Sequence, residues 1–398
     1  MTNKHKVQVT DNAKVRRVAR FALLAVLVAA ASPAFQFTRA QTNAQVIRNI
    51  EYARADGKSL LLDLHLPAAS SSKLPVIVWV HGGGWATGDK GDGGPAARMT
   101  ARGYAVASIN YRLSWEARFP AQIEDCKAAI RWLRANASRH NLDADRIGVW
   151  GSSAGGHLAA LVGTSGDVQE LEGDLGNNNQ SSRVQAVIDW YGPADFLKMQ
   201  SESLACGVID HDSPVSPEAL LLGCPIQVCK DRSRRASPVT YATADDPPFL
   251  IMHGTADCLV PPLQSRDMAD ALKAVGVDAT LKFIEGAGHG GDEFELAENR
   301  KLVDDFFDKH LAASSVLPEI TNASVSGKKL IVVGTGFASG AVIILNGRPE
   351  KTKNDDQNPE TRLIAKKAGR KITSGQSVSL RVENPGGNLS EEFTFNRQ

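Results

Sequence analysis

Apolar and polar positions along the chain change rhythm several times, and each change marks a different kind of element. Residues 46–53 and 59–66 alternate or run apolar on either side of the turn pair Asp56-Gly57, which predicts a β-hairpin. Val76 to Val80 is continuously apolar between Pro75 and a glycine run, as a strand buried on both faces should be. Strands are then expected over 104–109, 146–150, 184–191, 248–252 and 278–284, with helices over 120–138, 154–163, 263–275 and 292–311. This alternation predicts a mostly parallel sheet flanked by helices, with the functional site at the carboxyl ends of its strands. Residues 192–246, rich in Pro, Ser, Asp and Cys, break the rhythm and read as a cap-like insertion within an α/β domain spanning 41–312. A short linker over 313–317 follows. Beyond it, Leu330 to Val333, Ala341 to Leu345, Val378 to Val382 and Phe393 to Phe395 are short apolar runs between Gly, Asn and Pro turns. They predict an all-β sandwich over 318–398.

The N-terminus follows another rule. Lys14, Arg16, Arg17 and Arg20 precede the apolar run Phe21 to Ala31, and small residues around Pro33 and Ala34 come next. That is the layout of a secretory signal peptide over 1–40, too short in its apolar part to span a bilayer comfortably. A secreted or periplasmic protein is therefore expected, with no membrane association after cleavage. With 45 basic and 44 acidic residues the chain has no net field to attract nucleic acid. Five cysteines cannot all pair within one chain. Cys126 falls on the buried side of a helical pattern and reads as a small core residue. Cys206, Cys224, Cys229 and Cys258 allow two bridges in three connectivities, of which Cys224 with Cys229 and Cys206 with Cys258 is the expected one. A zinc site built from all four competes poorly, since they do not come as two close pairs.

Candidate chemistry sits at the predicted strand ends. Arg146-Ile147-Gly148-Val149-Trp150 runs into Gly151-Ser152-Ser153-Ala154-Gly155-Gly156 and then a helical pattern, so a GxSxG lies between strand and helix. In that setting the central serine, Ser153, sits on a sharp turn with its hydroxyl exposed. His81-Gly82-Gly83-Gly84-Trp85 follows the strand ending at Val80. Its glycines let backbone amides approach a substrate oxygen, so Gly83 and Gly84, with the amide of Ala154, are the expected oxyanion hole. A phosphate loop would need a Lys-Ser/Thr pair or GxGxxG spacing, and neither is present. A serine nucleophile also needs a base and an acid. Asp257 in His253-Gly254-Thr255-Ala256-Asp257 and His289 in Gly286-Ala287-Gly288-His289-Gly290 each follow a predicted strand, in the chain order Ser, acid, His. Asp292 and Glu285 are fallback acids, while His81, His157 and His253 read as structural.

Together these motifs resemble the bacterial α/β-hydrolases of the feruloyl and acetylxylan esterase-like (BD-FAE-like) carboxylesterase branch, over about residues 46–312. The resemblance implies a serine esterase acting on a small ester or an acylated carbohydrate, without cofactor or metal. It also implies an acyl pocket lined by Trp85, Trp190 and Tyr191. Ser152 stands where hormone-sensitive-lipase-like enzymes usually carry an acid, which favours the secreted carbohydrate-esterase-like branch. Pro318-Glu319-Ile320, Gly334-Thr335-Gly336-Phe337 and Asn384-Pro385-Gly386-Gly387 are similar to turns of an IPT/TIG-type immunoglobulin-like domain. Amide hydrolysis by the same triad and a non-catalytic binding protein on the same fold are the alternative expectations.

Overall fold

A computed structural model describes residues 44–397, apart from 69, 71, 167, 312–316, 339, 356 and 385–388. The signal expected over 1–40, all but the last residue of the linker, and Pro385-Gly386-Gly387 lie outside the described residues.

The chain opens with the expected hairpin, β1 (Gln45–Ala55) and β2 (Lys58–Leu66), whose turn residues Asp56 and Gly57 both have positive φ. Then follow β3 (Leu74–Val80), α1 (Ala96–Ala101), β4 (Ala105–Ile109), α2 (Ala121–Ala135), β5 (Leu142–Ser152), α3 (Ala154–Thr164) and β6 (Ala186–Trp190). The insertion contributes three short helices, α4 (Met199–Glu202), α5 (Pro217–Leu222) and α6 (Lys230–Ala236). The α/β unit closes with β7 (Phe249–Gly254), α7 (Pro262–Ala274), β8 (Ala279–Ile284) and α8 (Ala297–Leu311).

These strands form one eight-stranded sheet in the order β1-β2-β4-β3-β5-β6-β7-β8. The strands from β4 to β8 in that order are mutually parallel, and β2 joins β4 antiparallel. Alternate residues of the buried strands feed two cores, as a period of two requires. Val76, Val78 and Val80 pack with α2, α3 and α7 on one face. Ile77, Trp79, Trp150, Ile188 and Trp190 pack with α1 and α8 on the other. Helix α3 is buried at every position, which explains its small, apolar composition under the sheet.

Two elements depart from expectation. Strand β5 begins at Leu142 rather than 146, because polar Asp143 and Arg146 satisfy each other at 2.8 Å and let the ladder continue. The helix expected from 292 begins at Ala297, since Asp292–Glu295 forms a separate 3-10 turn followed by extended Leu296.

Beyond the α/β unit, eight further strands among the described residues, β9 (Glu319–Ser326), β10 (Lys329–Thr335), β11 (Val342–Leu345), β12 (Arg348–Pro349), β13 (Thr352–Asn354), β14 (Arg362–Ala365), β15 (Ser377–Glu383) and β16 (Phe393–Asn396), make two four-stranded antiparallel sheets, in the orders β13-β14-β10-β9 and β12-β11-β15-β16. Ile320, Leu330, Val332 and Leu363 from one meet Ile343, Leu345, Leu380 and Val382 from the other in a single core, so the sheets form a sandwich. Strands β9 (Glu319–Ser326) and β14 (Arg362–Ala365) go beyond the strands expected from apolar runs, because polar residues interrupt their apolar positions.

The four expected cysteines are joined as Cys206–Cys258 and Cys224–Cys229, and Cys126 is free and buried. The paired thiols leave no zinc site there. No described helix is long and apolar enough to cross a membrane.

Candidate active site

Ser153 sits between β5 and α3 with φ 56° and ψ −121°, a backbone conformation that non-glycine residues rarely adopt. Its neighbours make the turn possible. A Cβ on Gly151 would lie 2.1 Å from the Gly155 carbonyl oxygen, and one on Gly155 would lie 2.1 Å from the Val80 carbonyl oxygen. Only glycine fits at either place, so the tight crossing of β5, α3 and β3 is written into the motif.

The other two side chains come from neighbouring strand ends. Asp257 follows β7 and His289 follows β8. Their loops are tied together by Ala256 N–H donating to the Ala287 carbonyl at 2.9 Å and Gly286 N–H donating to Thr255 Oγ1 at 2.8 Å. His289 Nε2 is 2.8 Å from Ser153 Oγ, and its Nδ1 is 2.7 Å from Asp257 Oδ2. Serine, imidazole and carboxylate thus form one hydrogen-bonded line. The fallback acids Asp292 and Glu285 are not part of it.

Asp257 is buried, and burial alone would raise its pKa. Hydrogen bonds from His253 and His289 and their positive charge when protonated outweigh that effect and hold the carboxyl well below the usual carboxylate range. Its second oxygen accepts the Leu259 and Val260 amides at 2.8 and 3.0 Å. The contact with His253 is 3.1 Å from Nε2 to Oδ2, and His253 Nδ1 lies 2.7 Å from Ser265 Oγ. His253, read from sequence as structural, therefore shares the carboxylate oxygen that His289 uses. The available signal was its spacing of four residues from the acid, with the strand running directly into the loop.

A pocket of about 410 Å³ opens over the serine. Gly83, Gly84 and Ala154 all line it. Gly83 and Gly84 have positive φ, and the loop's hydrogen bonds use the Gly83 carbonyl, accepting from Ala86 and Thr87, rather than either glycine amide. Ala154 opens α3, where backbone N–H groups have no partner within the helix. The three residues whose amides are expected to hold an oxyanion thus all line the pocket that opens over Ser153. His81 holds this loop from below, stacked on Tyr111 at 4.4 Å, with Nδ1 2.8 Å from the Gly82 carbonyl oxygen.

Of the three aromatic residues expected in the acyl pocket, Trp85 and Tyr191 line it. Trp190 does not: it lies in an adjoining cleft and in the core on the α8 face, because alternation along β6 turns its ring away from the serine. Trp85 is itself buried, with its indole N–H donating to His157 Nδ1 at 3.2 Å. The rest of the pocket wall is mostly apolar, with Ile209 and Pro217 from the insertion and Leu259 and Val260 from the acid loop.

A nucleophile elbow, a histidine and an acid at successive strand ends, and a glycine loop at the same sheet edge define a serine hydrolase of the α/β-hydrolase class. The BD-FAE family pattern matches residues 62–272. The chain belongs to the BD-FAE family of carboxylesterases. Esterase LipC of Mycobacterium tuberculosis is 35% identical over 242 residues, covering 60% of this chain and 58% of its own length. This chain thus spans little more than half the length of such curated relatives. Among solved structures, a truncated carbohydrate esterase from gut microbiota superimposes with a TM-score of 0.62 at 34% identity, over 67% of this chain and 96% of that one. Thermogutta terrifontis esterase 2 phosphorylated by paraoxon gives a TM-score of 0.54 at 27% identity, over 67% and 94%.

Proposed function

We propose that the chain is an exported serine carboxylesterase that cleaves acetyl or feruloyl esters of plant polysaccharide through an acyl-enzyme. The hydrogen-bonded line Ser153–His289–Asp257 beside the amides of Gly83, Gly84 and Ala154 carries the reading. His289 Nε2 takes the serine proton as Oγ attacks the ester carbonyl, and Asp257 stabilises the resulting imidazolium. The three amides hold the oxyanion, which collapses as His289 returns the proton to the departing alcohol oxygen. Water, deprotonated by the same imidazole, then releases the acid and restores Ser153.

Export is supported by two disulfides among the described residues, which persist in oxidising compartments. The C-terminal sandwich we assign as an immunoglobulin-like IPT/TIG module over 318–398, a spacer or attachment domain without catalytic groups. A panel of p-nitrophenyl acetate, methyl ferulate and acetylated xylan, run on wild type and Ser153→Ala, tests the reading. Wild type should turn over the esters, and the variant should lose a factor on the order of 10⁴ or more in kcat. Paraoxon should label Ser153 in the wild type alone. Turnover retained by the alanine variant would remove the nucleophile assignment.

A further inference from the structure

The C-terminal sandwich carries a charge opposite to that of the catalytic unit. Residues 318–398 hold 12 Lys and Arg against 8 Asp and Glu, whereas residues 41–317 hold 26 against 35. Much of the basic excess is gathered at one end of the sheet β13-β14-β10-β9. There Thr352 of β13 and Leu330 of β10 both pair with Ala365, the last residue of β14. Lys366, which follows Ala365, is thus flanked by Lys351 on one side and Lys329 on the other, on strands about 4.8 Å apart. Lys328 stands in the β9–β10 turn, and Lys367 and Arg370 in the turn after β14. The two turns are fastened together. The Gly369 amide donates to the Lys328 carbonyl at 3.1 Å, and a Cβ on Gly369 would lie 2.8 Å from the Lys329 carbonyl oxygen.

All six of these cations are exposed, and none makes an ion pair among the described residues. Glu350, beside Lys351, is already taken by Lys371 at 2.7 and 2.8 Å. Glu319, Asp355 and Glu360 lie at the opposite end of the sheet. Like charges on neighbouring strands destabilise a sheet, so the arrangement works against folding. Guarding an exposed edge does not account for Lys329 and Lys366, which lie on or directly after the two inner strands. A surface of one sign without internal partners attracts a polymer of the other sign. Its composition narrows that polymer. No large apolar or aromatic side chain is exposed in these turns, so nothing there would enter a bilayer or stack on bases. Five of the six cations are lysine, a point charge, whereas a surface that reads phosphate favours the bidentate fork of arginine. Carboxylates spaced along a polymer match such a field.

We propose that this end of the sandwich docks the protein on a carboxylate-bearing polysaccharide, a polyuronide, and so holds the acidic catalytic unit at a surface that would otherwise repel it. The choice of a polysaccharide rests on the function proposed above, whereas the attraction to a polyanion rests on the patch alone. The full chain should bind polygalacturonate at low salt, and binding should weaken steeply as salt screens the charges. Lys329→Gln, Lys366→Gln and Lys367→Gln together should weaken it at least about tenfold in about 50 mM salt, without lowering the melting temperature or the turnover of p-nitrophenyl acetate. Uncharged dextran should be bound by neither protein. Equal binding of polygalacturonate by wild type and the triple variant, or no binding by wild type, overturns the proposal. So does capture by phosphatidylglycerol vesicles in place of polygalacturonate, which would make the partner a membrane. Turnover of p-nitrophenyl acetate by wild type tests the esterase reading separately, since it involves no polymer.

Discussion

Asp257 Oδ2 meets two imidazoles, and only one of them reaches the serine. His253 is fully buried and braced by Ser265, so it fixes where the carboxylate oxygen stands and thereby the tilt of the His289 ring. It acts as a positioning residue. His253→Gln should lower kcat about tenfold and change KM by less, because Val260, the pocket-wall residue whose carbonyl oxygen lies 3.0 Å from His253 Nε2, is also held by its own amide bond to Asp257. A rise in KM instead would mean that the loop had shifted as a whole. Sequence order singled out Ser153, Asp257 and His289, which the fold joins by hydrogen bonds, because each lies in a glycine-containing motif at a strand end. It did not reveal the role of His253, because that role depends on the loop folding back from Gly254 to Val260, and no single residue signals such a return.

Asp189 is a second buried carboxyl, and its circumstances are opposite. Burial pushes its pKa up to about 7, and one hydrogen bond from the Gly192 amide lowers it only in part. The folded protein therefore holds a proton there that the unfolded chain, with an ordinary carboxyl near 4, has lost. Between about pH 4 and 7 the native state binds more protons, so this group's contribution to stability falls as pH rises, by up to about 1.4 kcal/mol per pH unit. Asp189→Asn removes the titration while keeping the shape. Thermal melts at pH 5 and pH 8 should show the variant gaining on wild type at the higher pH; an equal difference at both would mean that Asp189 does not titrate in this range.

At the level of elements, the cysteines and the insertion act together. Cys258 directly follows the acid, and its bridge to Cys206 fastens the Asp257 loop to the insertion that supplies Ile209 and Pro217 to the pocket. With the bridged positions 52 residues apart in sequence, its loss should destabilise the domain by about 3–4 kcal/mol. Cys206→Ser should therefore lower both the melting temperature and kcat, whereas opening the short Cys224–Cys229 loop should cost less. Equal effects from the two would show that the acid loop does not depend on the longer bridge. The strand and helix order of the α/β unit was legible because buried parallel strands read as unbroken apolar runs. The start of β5 and the sandwich strands β9 and β14 were not, since ion pairing or alternation with polar residues hides them from a search for apolar runs. Trp190 was misplaced for a related reason: an aromatic at a strand end can face either side, and only the register along β6 decides which.

For the whole molecule, the α/β unit and the sandwich each have their own hydrophobic core. Removing residues 313–398 should thus leave turnover of p-nitrophenyl acetate within about twofold of the full chain. If the sandwich is an attachment module, the same deletion should reduce retention on insoluble xylan in a pull-down. Unchanged retention would leave it as a spacer. The serine and histidine that must touch are 136 residues apart, and the histidine arrives with β8, the last strand to join its sheet in chain order. Hydrolytic competence is consequently out of reach until the last strand of the α/β sheet is in place. A partly synthesised chain already carries Ser153 but has nothing to take its proton, so a polypeptide whose sheet is incomplete has no means of ester hydrolysis.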